Sequence, residues 1–293
     1  MLQLSKEFCS GAARLRFDVH GPRPVERVLE DMTFLNYRLA CVQVAPEVTR
    51  PRPDMVWDQG PTRKGIIYED GVLILRGGWF EGEVQKALVS MLALKMEEVG
   101  LHPFHASAIR YRDCTIMFLG GESNHGKTMS QIEGCRRGGR VVSTETTVTD
   151  DRGWAVMGSK NVFLRKRAKG TERSDLPDQD QGVAKFFDKT PECVPWDEPT
   201  DVDLVIVPSI DGNFDIKVAP MIPFEREYQT YHSLMNYFGL NQLLSPELPM
   251  PVIDTDDRRL RRADFCHRFA QRPYYLIRAK NPPAVLDEVE RLL

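Results

Sequence analysis

Residues 115–139 read TIMFLGGESNHGKTMSQIEGCRRGG, and within them Gly121, Glu122, Ser123, Asn124, His125, Gly126, Lys127 and Thr128 fit the spacing G-x-x-x-x-G-K-[ST]. A loop of this kind needs glycines because its backbone must fold close around phosphate oxygens, turning successive N–H groups inward. Lys127 would set a point charge on the β- and γ-phosphates, and the Thr128 hydroxyl would ligate Mg²⁺. The run Thr115 to Leu119 suits a buried strand entering the loop. Thr128 to Arg137 ends in two arginines and stops at Gly138-Gly139, the way a helix closes. Strand, loop and helix stand in the order that puts an anion at a helix N-terminus, where unpaired N–H groups and the macrodipole favour it.

The rest of the chain bounds this reading. Its 293 residues suffice for one large α/β domain or two small ones. With 28% charged residues and a formal net charge of −3, it lacks the clustered basic excess of a general nucleic-acid binder. No apolar run is long enough for a membrane span, and the N-terminus lacks the order of a signal peptide, so a cytoplasmic protein is expected. Six scattered cysteines without a C-x-x-C pair indicate neither a zinc site nor a disulfide framework.

Along the chain, Ala13 to Val19 alternates like a half-buried strand, Val25 to Met32 suits a short helix, and Leu39 to Val44 another strand. Pro46 to Pro61, with four prolines, reads as loop. Two apolar runs flank Asp70-Gly71, the signal of a tight hairpin. Val84, Leu88, Met91, Leu92 and Met96 recur at helical spacing before Gly100, and such a stripe is core. His105 to Leu119 reads as a hairpin turning at Arg112-Asp113, followed after the helix by a buried strand at Arg140 to Val142. Thr147 to Asp150 and Trp154 to Met157 bracket another turn, which makes Asp150 and Asp151 turn residues rather than acids of a site. Asn161 to Arg167 is the next strand. Ala168 to Asp201 is polar and aperiodic, a functional loop by its length. Asp203 to Pro208 is expected to pair with Phe214 to Val218 across Asp211-Gly212. From Phe224 onward the pattern is helical, with one strand at Tyr274 to Arg278.

Three elements together resemble the HPr kinase/phosphorylase family and its relative phosphoenolpyruvate carboxykinase. They are His105-Ala-Ser-Ala-Ile, the loop Gly120 to Thr128, and Arg137-Gly-Gly-Arg-Val-Val-Ser-Thr-Glu145. The resemblance covers roughly residues 65–220 and implies an α/β fold, a mixed β-sheet core with a P-loop and flanking helices. It implies ATP, with GTP as the competing donor, Mg²⁺, and phosphoryl transfer to an acceptor hydroxyl. On this reading 1–100 is an N-terminal α/β segment packed on the core, 101–223 the P-loop kinase core, and 224–293 a mostly helical C-terminal segment.

Two departures shape the expected substrate. The family's paired acids stand here as Thr144-Glu145, and no E-x-R-G-x-G stretch follows downstream. Both turn the expectation from the HPr protein to a hydroxyl-bearing small molecule: a nucleoside, sugar or biosynthetic intermediate. A protein serine kinase is the alternative within the same chemistry, and a nucleotide-binding regulatory protein the alternative outside it. A homo-oligomer is compatible with the sequence, and no membrane or nucleic-acid partner is expected.

The catalytic candidates are then Lys127, Glu145 and His105. Glu145 follows a buried strand, where it would hold Mg²⁺ with Thr128 or accept the acceptor's proton. A solvated strand-end carboxylate is its plain alternative. His105 would orient Glu145 or touch the γ-phosphate, unless it is simply a hydrogen-bonded structural residue. Arg165, with Lys166 and Arg167 beside it, and Thr144 are candidate phosphate or acceptor contacts.

Overall fold

A computed structural model of the chain describes residues 3–22, 25, 32–120, 125–164, 183–186, 194–238, 240 and 248–293. The chain divides into two units, Met1–Pro103 with Leu234–Arg262, and Phe104–Ser233 with Ala263–Leu293. Among the described residues both contain mixed α/β structure, with six helices in all.

The first unit is built on a hairpin of β1 (Gln3–Ser10) and β2 (Ala13–His20). After it come α1 (Thr33–Arg38), β3 (Val42–Val44), β4 (Met55–Asp58), β5 (Gly65–Glu69), β6 (Val72–Arg76) and α2 (Glu81–Glu98). The sheet runs β3-β1-β2-β4-β6-β5, antiparallel at both ends and parallel through β2, β4 and β6. Leu15, Phe17, Met55, Trp57, Leu73 and Leu75 are all buried, at the alternate positions a pleated strand turns to one face. Against them lies α2, whose Val84, Leu88, Met91, Leu92 and Met96 are the stripe expected from spacing. The Asp70-Gly71 turn has both φ angles positive, 49° and 80°, as a type I′ hairpin demands.

Met55–Asp58 corrects the reading of 46–61 as loop. Only four residues between prolines are strand, too few for periodicity to register, yet Met55 and Trp57 are buried on one face. The strand Gln3–Ser10 carried no distinct signal either. Of the helix expected over 25–32, residues 26–31 lie outside the described residues, and α1 begins at Thr33.

β7 (Leu101–Phe104) ends on the first residue of the second unit, and after it come β8 (Ser107–Tyr111), β9 (Cys114–Phe118), α3 (Lys127–Arg136) and β10 (Arg140–Ser143). They are followed by β11 (Thr147–Asp150), β12 (Trp154–Gly158), β13 (Asn161–Leu164), β14 (Val183–Phe186), β15 (Thr200–Asp201), β16 (Leu204–Ile210) and β17 (Lys217–Pro220). The helices α4 (Pro223–Phe238) and α5 (Asp256–Phe269) contribute residues to both units, and β18 (Tyr274–Ala279) and α6 (Pro282–Leu292) complete the second. Its main sheet runs β10-β8-β9-β16-β18-β17. Ile109, Ile116, Phe118, Val141, Ile206 and Ile277 form its core with Val285, Leu286 and Val289 of α6. Arg137 braces the C-terminal end of α3 by pairing with Glu133 at 3.0 Å, Asp287 at 2.8 Å and Glu290 at 2.9 Å. A cation there also suits the negative end of the helix.

Two further expectations are corrected. β16 and β17 do not pair with each other: β18 lies between them, parallel to β16 and antiparallel to β17. Asp211 does accept a turn hydrogen bond from Phe214, but β16 is already flanked by two parallel partners, β9 and β18. And 168–201 is not free of regular structure, since β14 pairs with β13 and β15 with β12. Those strands find their partners through distant contacts that local composition does not encode. Among the described residues no helix is long and apolar enough to cross a membrane.

Candidate functional site

Strand direction decides what can meet. β8 is antiparallel to both β9 and β10, so β9 and β10 run the same way. The C-terminal ends of β9 and β10 and the N-terminal end of β8 therefore share one sheet edge. Leu119 and Gly120 leave the first, Glu145 follows the second, and His105 precedes the third. At ordinary strand spacing the ends of β9 and β10, two strands apart, are about 10 Å from each other. Carboxyl ends of parallel strands are where open α/β sheets hold ligands.

The loop end is narrowly specified. Gly126 is the N-cap of α3 with φ +103°. A Cβ there would meet Ile210 Cδ1 at 2.5 Å, so the backbone lies directly against the end of β16. Lys127 opens the helix, is buried, and donates from Nζ to the Gly120 carbonyl at 2.8 Å. Thr128 is half-buried in the first turn and His125 is exposed. Gly121, Glu122, Ser123 and Asn124 lie outside the described residues, as does Arg165 with Lys166 and Arg167. If the loop takes a nucleotide, Gly126→Ala is expected to weaken its binding at least tenfold, because both the positive φ and the contact with Ile210 oppose a side chain. Calorimetric titration with ATP checks this, alongside a thermal melt to register any loss of fold.

His105 and Glu145 come together, Nε2 to Oε1 at 3.1 Å, with their side chains 7% and 12% exposed. The two are brought close by the hydrogen bonds around them. Thr147 Oγ1 donates to the Ala106 carbonyl at 3.0 Å and also meets Ser143 Oγ, which knits the start of β8 to the turn after β10. On the other side, His105 N–H donates to the Ser233 carbonyl at 3.3 Å, and Ser233 Oγ donates to the His105 carbonyl at 3.2 Å. A carboxylate and an imidazole so placed can pass or hold a proton together.

Thr144 is buried, and its hydroxyl contacts the Ser159 carbonyl at 3.0 Å, Ser159 Oγ at 3.1 Å and the Asn161 carbonyl. Ser159, which nothing in the sequence singled out, also accepts from the N–H groups of Glu145 at 3.0 Å and Thr146 at 2.9 Å. The one signal that could have found it is a small polar residue in the short connection between β12 and β13. Asp150 is the turn residue its sequence context suggests. Burial pushes its carboxyl up, but Arg152 and the N–H groups of Trp154 and Arg152 outweigh burial and hold it below the ordinary range. Trp79 is buried, Trp154 is exposed, and Trp196 lies under the guanidinium of Arg140 at 4.7 Å from its ring centre.

Mg²⁺ asks for hard oxygen donors, with one or two carboxylates and the rest of the octahedron supplied by phosphates and water. Among the described residues no three His, Cys, Asp or Glu side chains cluster as a metal cage. Glu145 and Thr128 carry oxygen donors of the kind Mg²⁺ takes. No protein-family model matches the chain, and no curated protein matches it either.

Proposed function

We propose that the protein is an ATP- and Mg²⁺-dependent kinase that transfers the γ-phosphoryl group to a hydroxyl of a small molecule. The observation that carries this is a shared sheet edge: a left-handed Gly126 and buried Lys127 opening α3, and a His105–Glu145 pair at 3.1 Å beyond the neighbouring strand ends. The main sheet of the second unit is read accordingly as a core of the HPr kinase and phosphoenolpyruvate carboxykinase kind. ATP is the preferred donor, with GTP its competitor.

Phosphoryl transfer asks the protein for position and charge rather than covalent work. Lys127 and the amides opening α3 face the phosphates. Thr128, with Glu145 reaching it through water, would hold Mg²⁺, which would supply neutralising charge to the phosphates. The acceptor oxygen bonds to the γ-phosphorus as the bond to the ADP oxygen breaks, and the acceptor's proton passes to the Glu145 carboxylate. His105, whose Nε2 lies 3.1 Å from Glu145 Oε1, keeps the carboxylate aimed.

ADP release measured with purified protein, ATP, Mg²⁺ and a panel of nucleosides and sugars tests this. Turnover is expected with a true acceptor only, and Glu145→Gln is expected to lower kcat by about 10²- to 10⁴-fold while leaving ATP affinity nearly unchanged. One observation favours a second reading, a non-catalytic nucleotide-binding regulator: Thr144 stands where the resembled family has its first acid. ATP binding with no turnover on any acceptor, unchanged by Glu145→Gln, would favour that reading.

A further inference from the structure

We infer that Ser159 is the positioning residue of the Glu145 carboxylate, and that Thr144 serves as its hydrogen-bonding partner and not as a remnant of a second catalytic acid. This rests on Glu145 acting in the transfer proposed above.

The proton accounting carries it. A serine hydroxyl has two lone pairs and one proton. The lone pairs of Ser159 Oγ take the N–H groups of Glu145 and Thr146. Its proton then faces Thr144 Oγ1 at 3.1 Å. Thr144 cannot be the donor in that contact, because its single proton is claimed by the carbonyls of Asn161 and Ser159, which only accept. The chain of donors therefore runs from the backbone of the turn to Ser159, on to Thr144, and ends at a carbonyl. The main chain of Ser159 repeats the grip, accepting from Thr144 N–H at 2.9 Å and donating to the Thr146 carbonyl at 3.0 Å. One residue thus holds all three members of the turn 144–146, with Ser159, Thr144 and Thr146 each no more than 2% exposed.

Gly158 makes the approach possible. A Cβ there would meet the Val142 carbonyl at 2.3 Å and Ser143 Cβ at 2.5 Å, so only glycine lets the end of β12 lie this close to the end of β10. The consequence is a rigid mount on which Glu145, flanked by two buried threonines, is held against His105. Hydrogen-bonded side chains of this kind keep a reacting group within the small tolerance that catalysis permits. The same geometry opposes a simple return to paired acids. At this position, where Thr144 is 1% exposed, an aspartate would press its carboxylate against the carbonyl oxygens of Ser159 and Asn161, acceptor against acceptor.

Three variants with two readouts test the inference: Ser159→Ala, Thr144→Ser and Thr144→Asp, followed by the NMR resonances of the His105 ring and by kcat beside ATP affinity. Ser159→Ala is expected to move the His105 signals toward those of Glu145→Gln and to lower kcat by about 10- to 100-fold without changing ATP affinity. Thr144→Ser keeps both readouts near wild type, and Thr144→Asp lowers kcat and thermal stability. Wild-type His105 signals in Ser159→Ala, or a gain in kcat from Thr144→Asp, would overturn the assignment. If Ser159→Ala does not fold, Thr144→Val removes the acceptor of the Ser159 proton, keeps both N–H bonds, and is read in the same two ways. Should the wild-type protein turn over no acceptor, the kinase reading fails while the His105 signals still decide what Ser159 does.

Discussion

Lys127→Met is expected to lower turnover by about three orders of magnitude and leave the fold intact. The ammonium stands in the first turn of α3, and its Nζ sits 2.8 Å from the Gly120 carbonyl, just beyond the end of β9. A unit charge about 4 Å from a phosphate oxygen contributes about 4 kcal/mol at the effective dielectric of a partly buried site. At about 1.4 kcal/mol per factor of ten, that is about a thousandfold when the interaction strengthens in the transition state. Methionine fills a similar volume, so little stability is lost with the charge. Steady-state ADP release and a thermal melt separate the two effects. Turnover within tenfold of wild type would remove Lys127 from the chemistry, and an early melt with proportionate loss of activity would make its role structural.

The parts of the fold that were legible in the sequence are those set by neighbouring residues. Strand Cys114–Phe118, helix Lys127–Arg136 and the turns at Asp70-Gly71 and Arg112-Asp113 follow from local apolar runs and from the glycine and aspartates at the turns, which accept positive φ. The Met and Leu stripe of α2 is local in the same sense. What sequence did not reveal depends on contacts across the sheet. β4 is four residues long among prolines and is fixed only by parallel partners on both sides. β16 and β17 carry a credible hairpin signal between them, yet β18, more than fifty residues further along the chain, inserts as the partner of both. Ser159 lies fourteen residues beyond Glu145 and meets it only because the β11–β12 hairpin folds back. The nearness of His105 to Glu145 is intermediate. Strand order suggests it, but the 3.1 Å contact needs the threonine and serine hydrogen bonds that surround it.

Arg262→Met is expected to destabilise the first unit by about 3–5 kcal/mol, the largest stability change foreseen for a single substitution here. The sequence of α5, with Arg258, Arg259, Arg261 and Arg262 in close succession, looks like a solvated basic face. Arg261 is exposed, but Arg262 is 1% exposed. All five of its N–H donors are used. Nε and Nη2 donate to Glu97 at 2.7 and 2.6 Å, Nη1 and Nη2 to Asp254 at 2.8 and 3.1 Å, and Nη1 to Met235 Sδ at 3.1 Å. The guanidinium carbon also lies 4.0 Å from the centre of the Phe238 ring. Burial alone would push its pKa down, but the two carboxylates more than offset this and raise it. Methionine would leave Glu97 and Asp254 buried without that partner, and uncompensated buried charge is the costly outcome. Denaturant unfolding, read by native-state hydrogen exchange in α2, measures the loss, with Arg261→Met as a surface control expected within about 0.5 kcal/mol of wild type. Adding Glu97→Gln and Asp254→Asn to Arg262→Met should recover part of the stability, because neutral amides are cheaper to bury than carboxylates. A cost as small as that of the control would mean the triad is better solvated than its geometry implies. This cluster of buried charge has the outward look of a catalytic site, but every donor on the arginine is consumed by the fold.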